Sequence, residues 1–146
     1  MTSLDEFAAL AAKERGLVVV STLRADTTIQ ASVVNAGVLA NPLTNARSLG
    51  FVTYGKVKLA NLRSRPRVTV TARAGWEWAT VEGTATLIGP DDPAPGFDAD
   101  RVRLLLRDVF TSAGGTHDDW DEYDRVMTEQ RRTAVLIEPS RVYSNR

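Results

Sequence analysis

Between Thr53 and Val70 the sequence reads TYGKVKLANLRSRPRVTV, and Lys56, Lys58, Arg63, Arg65 and Arg67 all fall within it. Lys56 and Lys58 are two of the three lysines in the chain, the other being Lys13. A strand that ends at Thr53–Tyr54–Gly55 and runs straight into a helix from Lys56 presents unpaired backbone N–H groups and a partial positive charge, a setting that suits a phosphate. Cations at a helix N-terminus are disfavoured by the macrodipole, by a few tenths of a kcal/mol up to about 1. An anionic ligand would remove that cost. Lys58 and Asn61 lie three apart and so can face one way. Two readings stand at this level: a solvated helix face, or a binding site for something anionic. Nucleic acid fits poorly, because the segment is short, lacks interleaved aromatics and sits in a neutral chain.

Other chemistry is thinly represented. The 146 residues carry 18 Lys and Arg against 18 Asp and Glu, so no global field draws in anions, and any anion site must be local. The absence of cysteine excludes disulfides, thiol catalysis and cysteine metal sites. The one histidine, His117, cannot form a multi-histidine metal site, and no metal ligand set is expected. With Asp118 and Asp119 it is expected to open a helix, a carboxylate accepting the free backbone N–H groups. No residue stands out as a catalytic acid or base. No apolar run approaches the roughly 20 residues of a membrane span. Asp5 and Glu6 come early and no positive segment precedes an apolar one, which is not a signal-peptide pattern. A cytoplasmic location is expected.

The elements that must position these residues follow from the patterning. SLDEFAALAAKERG predicts a helix with Ser3 as cap, Glu6 at the capping-box position and Gly16 as the stop. Residues 17–23 and 29–40 predict a strand pair. In the second strand Gln30, Ser32 and Val34 share one face, and Ile29, Ala31, Val33 and Asn35 the other. LGFVTYG is a third strand, and KVKLANLRSR a short helix closed by Pro66. Residues 67–74 and 77–89 predict two more strands around a turn at Gly75–Trp76. A Pro- and Asp-rich loop leads to helices over 101–114 and 118–132, then a last strand over 133–143. Trp78 and Val81 are expected inside the barrel; Trp120 and Tyr123, three apart, are expected to be packing residues. Adjacent antiparallel strands with few helices predict a mainly β fold, a small barrel with flanking helices, in one domain over 1–146.

KLANLRSRPRVTV resembles the K-x-x-N-L-x-x-x-P-R signature of the pyridoxamine 5'-phosphate oxidase-like split β-barrel proteins. More narrowly it resembles the flavin/deazaflavin oxidoreductases of actinobacteria. GLVVVSTLRADTTIQASVVN is similar to that family's first hairpin, and GWEWATVEGTATL to its Trp-containing strand followed by E-G-x-A. HDDWDEYDRVMTEQRRTAVLIEPSRVY is similar to its C-terminal helix and last strand.

The resemblance implies a homodimer with a flavin-like cofactor in each of two clefts at the interface. It implies that Lys58 binds the cofactor phosphate, with Lys56 beside it and Thr53 and Tyr54 on the strand end. Asn61 faces the same way by its helical spacing. It implies that Gln30, Ser32 and Asn35 pass the ring; for Gln30 and Asn35 to meet one cofactor, the strand must present both faces to it or bulge, which Gly37 would allow. It implies that Trp76 approaches the cofactor from the partner chain. SRVYSNR lacks the Arg–His pair of true pyridoxamine-phosphate oxidases, so vitamin B6 oxidation is not expected. Lys56, Lys58 and Arg63 suit the phosphodiester and glutamates of coenzyme F420. The expected function is therefore F420-dependent hydride transfer to a conjugated or quinone-like small molecule. The alternatives are an FMN-dependent oxidoreductase or a non-catalytic cofactor-binding protein.

Overall fold

The computed structural model describes residues 2–146. Helix α1 (Leu4–Ala12) is followed by strands β1 (Leu17–Leu23), β2 (Ile29–Ala40) and β3 (Arg47–Thr53), helix α2 (Lys56–Ser64), and strands β4 (Arg67–Ala74) and β5 (Glu77–Ile88). Helices α3 (Ala99–Ser112) and α4 (Trp120–Glu129) precede strand β6 (Thr133–Ser144). The strands close into an antiparallel barrel in the order β1-β2-β3-β6-β5-β4. The expected mainly β barrel with flanking helices is the observed architecture.

The local signals are visible in the structure. Ser3 caps α1, its Oγ accepting from the Glu6 N–H at 3.1 Å, and Gly16 ends the following turn at φ 77°. Strands β1 and β4 are β-branched runs whose alternate residues point inward, so Val18, Val20, Val68, Val70 and Ala72 fill the barrel with Phe51, Val81, Val135 and Ile137. A second apolar layer lies outside the barrel, where Leu105, Leu106 and Val109 of α3 and Tyr123 of α4 pack on Ile88, Ala134 and Leu136. Val102, Leu105, Leu106 and Val109 do share one side of α3, as their spacing predicts.

Gly37 lets α3 dock, because a Cβ there would lie 2.1 Å from the Ser112 carbonyl oxygen. It hosts no bulge: β2 pairs in unbroken register with β1 and with β3. The register shift falls instead at Glu82/Gly83, where β5 meets β6. Boundaries move by a few residues. Strand β3 begins two residues earlier and stops at Thr53, leaving Tyr54 and Gly55 as connection. Asp119, next to His117, caps α4 by accepting from the Glu122 N–H at 3.1 Å, as expected of a carboxylate there. Trp120 and Tyr123 pack edge-on with each other and with Phe110. Val81 is inside the barrel, but Trp78 is not. It points the other way from Ala79 and Val81 along the strand, and its ring meets Tyr143 edge-on at 6.2 Å.

One ion-pair cluster ties α4 to α3. Asp124 accepts from Arg107 Nε at 2.9 Å and from Arg103 Nη1 at 3.2 Å, and Arg107 Nη2 also reaches it. These contacts hold the Asp124 carboxyl below the usual value of 3.8, the hydrogen bond from Arg107 being the largest cause. A carboxylate with a lowered folded pKa contributes stability above its unfolded value and loses it as pH falls through the folded value. Asp124→Asn is therefore expected to lower the unfolding midpoint at neutral pH. The gap from wild type should close below pH 3.8, read by thermal denaturation across pH.

Candidate functional site

Strand β3 delivers Thr53 to the rim of the barrel, Gly55 turns the chain, and α2 starts at Lys56. No side chain caps α2 and no acidic residue sits in its first turn, so its leading N–H groups face outward unneutralised. Lys58, the third residue of α2, is 6% exposed. Its ammonium donates to Thr53 Oγ1 at 3.2 Å and stands 5.9 Å from the centre of the Phe51 ring. Thr53 Oγ1 also accepts from the Gly55 N–H at 3.2 Å, which fixes the hydroxyl between turn and lysine. Lys58 takes part in none of the ion pairs formed among the described residues. Burial holds its pKa below the usual 10.5, and the charge of Arg132 lowers it further.

Arg132 is the neighbour the sequence reading missed. Thr53 pairs with Thr133 across β3 and β6, so Tyr54 and Arg132 lie side by side just beyond that pair. The guanidinium covers the Tyr54 ring at 4.0 Å, and Arg132 Nε donates to Gln130 Oε1 at 2.8 Å. Burial lowers its pKa too, and it likewise has no carboxylate partner among the described residues. The signal available was the Arg131–Arg132 pair immediately before the last strand. Register alone brings the second of them to the β3 corner.

The other expected residues divide. Lys56 is exposed on the same first turn. Asn61 is buried, but it ties α2 to the barrel: its Nδ2 donates to Thr22 Oγ1 at 3.0 Å and its Oδ1 accepts from Arg65 at 3.4 Å. Gln30 joins that same chain, accepting from Thr22 Oγ1 at 3.1 Å. Ser32 Oγ is buried without a partner. Asn35 is on the opposite, outer face, where its Nδ2 donates to the Arg15 carbonyl at 2.6 Å. It also lines a pocket of about 190 Å³ with Val52, Tyr123 and Arg132. With β2 unbulged, Gln30 and Ser32 cannot face the same ligand as Asn35. Arg63 is held by Asp92 through two bonds of 2.8 and 2.7 Å, so its charge is already matched. Trp76 is at the β4–β5 turn and is 94% exposed. The turn is tied to Asn145, just past the end of β6, whereas Lys58 and Arg132 sit at the start of that 12-residue strand. Extended chain of that length spans roughly 40 Å.

The arrangement is therefore a corner with two cations, the buried Lys58 and the half-buried Arg132, a hydroxyl, an aromatic ring and free helix N–H groups. It can hold a phosphate-like anion. It offers no acid–base pair, and no group of His, Cys, Asp and Glu able to hold a metal occurs among the described residues.

No family model matches the chain. Solved structures do match it. A conserved hypothetical protein from Mycobacterium tuberculosis aligns over 99% of this chain and 84% of its own, with a TM-score of 0.67 and 21% identity. A pyridoxamine 5'-phosphate oxidase-related, FMN-binding protein from Nostoc punctiforme aligns over 97% and 82%, with a TM-score of 0.65 and 14% identity. The chain shares the fold of the pyridoxamine 5'-phosphate oxidase-like proteins. An F420 reductase shares this split barrel, over 87% of this chain and 88% of its own, with a TM-score of 0.59 and 14% identity. Among the described residues no helix of the split barrel is long and apolar enough to cross a membrane.

Proposed function

We propose that the protein is an oxidoreductase that holds a flavin-type cofactor by its phosphate at the β3–α2 corner, the cofactor being coenzyme F420. Lys58 carries this reading. A buried ammonium with a hydroxyl partner but no carboxylate is costly in the free protein, and a bound phosphate relieves that cost. The residues present fit such a group: Lys58 and Arg132 supply two positive charges, Thr53 aims the lysine, and the start of α2 supplies N–H donors. The likeness to an F420 reductase and to an FMN-binding protein supports a cofactor of this type.

The bound cofactor would supply hydride to a conjugated or quinone-like acceptor. The protein's part is to bind and orient it, and Tyr54, clamped under Arg132, gives the corner an apolar wall. FMN is the second reading. The pairing of Arg63 with Asp92 favours it, because that arginine is then not free for a polyanionic tail.

A homodimer belongs to the same proposal. Val19 and Val33 pair across β1 and β2 on the outer face, where Leu17, Ile29 and Val33 remain exposed, Val33 at 62%. An apolar sheet face of this kind marks an association surface. Trp76 cannot reach the corner of its own chain, so only a second copy can bring it to a cleft there. Val33→Glu is expected to give a monomer by light scattering where wild type gives a dimer. A monomeric wild type would overturn the shared cleft.

The function itself is tested by titrating the protein with F420 and with FMN and following tryptophan fluorescence. Tighter binding of F420, followed by acceptor reduction with the reduced cofactor, is the expected result. Tighter FMN binding selects the second reading. Binding without turnover leaves a cofactor-holding protein, and binding of neither overturns the proposal.

A further inference from the structure

Arg132 also lines a pocket of about 330 Å³ formed by the Pro- and Asp-rich loop, α3 and α4. Its walls are mainly apolar, from Pro93 and Phe97 of the loop, Val102 and Leu106 of α3, and Met127 of α4. The loop is pinned on both sides, by Arg63 on Asp92 and by Arg131 on Asp91, the latter through bonds of 3.1 and 2.5 Å. Arg101 stacks 4.4 Å from the Phe97 ring and donates to the Gly96 carbonyl at 2.8 Å, which fixes the third wall. The pocket is thus preformed, and it falls in the size range of small-molecule sites. A dry apolar cavity of ~150 Å³ already accepts a benzene-sized guest.

The charges in the wall define the rest of the ligand. Asp124 is matched by Arg103 and Arg107, and Arg131 by Asp91. Asp98 caps α3, accepting from the Arg101 N–H at 2.9 Å. Arg132 is the one charged residue of this wall with neither a carboxylate partner nor a capping role among the described residues. We propose that this pocket is a second binding site, adjoining the phosphate corner and sharing Arg132 with it, for a small apolar monocarboxylate. The ring or branched body fills the space between Phe97, Leu106 and Met127, and the carboxylate meets Arg132. The proposal does not rest on the identity of the cofactor.

Calorimetric titration with 3-phenylpropionate, and with its neutral amide as control, tests it. Saturable one-to-one binding of the acid is expected, with the amide about tenfold or more weaker. Arg132→Met should bring the acid down to the level of the amide. Val102→Trp fills the pocket and should abolish binding. Thr128→Trp, at the exposed rim, does the same without touching the core, so a folding failure of the first variant leaves the test intact. Lys58→Met removes one charge beside Arg132 and should weaken the acid by no more than about fivefold, well short of the effect of Arg132→Met. No saturable binding at millimolar acid, equal binding of acid and amide, or undiminished binding to a folded tryptophan variant would overturn the proposal. Loss of binding in Lys58→Met would also overturn it, by assigning the acid to the phosphate corner.

Discussion

Lys58→Met is expected to give a protein that unfolds at a higher temperature and holds its cofactor about 10- to 150-fold less tightly. The two effects share one cause. In the free protein the ammonium is buried with Thr53 as its hydrogen-bond partner and Arg132 as a like charge, and both burial and repulsion lower its pKa from 10.5. The folded state then binds fewer protons than the unfolded state between the folded value and 10.5. Stability contributed by this group is present above 10.5 and is lost as pH falls through the folded value, so at neutral pH the charge is a net cost to the fold. Methionine occupies similar space without that cost. The stability gain should be widest at neutral pH and should narrow towards 10.5. Thermal unfolding across pH and fluorescence titration of the cofactor read the two halves independently. A Lys58→Met variant that binds as tightly as wild type would sink the phosphate corner. One that binds weakly but is also less stable would show that the bond to Thr53 outweighs the desolvation.

Phe51→Ala is expected to cost about 3–5 kcal/mol, the largest single loss among side chains near the site. Phe51 is fully buried in the barrel core, opposite Ala36 on β2 and Val135 on β6. Its ring is also the apolar surface beside the Lys58 ammonium. Truncation therefore opens a void inside the barrel and lets water approach the lysine at once. Denaturant unfolding should show a lower midpoint. If the variant stays folded, the pKa of Lys58 should move back up towards 10.5, visible by NMR of the ammonium-bearing carbon. A loss under about 1 kcal/mol would mean that neighbouring Val and Leu side chains collapse into the space.

The barrel was legible because its signals are local. Alternation in residues 67–74, the Pro66 stop after α2 and the Ser3 cap each act within a few residues, and each is seen in the structure. The anion corner was half legible. Lys58 stood out because a lysine at a helix start is a local anomaly, whereas Arg132 reaches the corner only through the pairing of Thr53 with Thr133, 80 positions apart in sequence. Asn61 and Gln30 looked available because sequence cannot reveal Thr22, the hydroxyl that engages both. Gly37 is ambiguous in sequence for a similar reason. A glycine in a strand signals either a bulge or a close approach, and only the docking of α3 decides between them.

The ring closes late along the chain. Strand β3 has β2 on one side from early on, but its other neighbour is β6, and β5 also waits for β6. Until β6 is in place, a growing chain therefore displays two open strand edges, one on each side of a single gap. Those edges are the apolar Leu49–Phe51 segment and the Ala79–Ile88 segment, both suited to pairing with another chain. Truncation within β6 should then lead to aggregation rather than to a looser barrel, and folding from denaturant should be slow for a chain of this size, because the loops that must close are long.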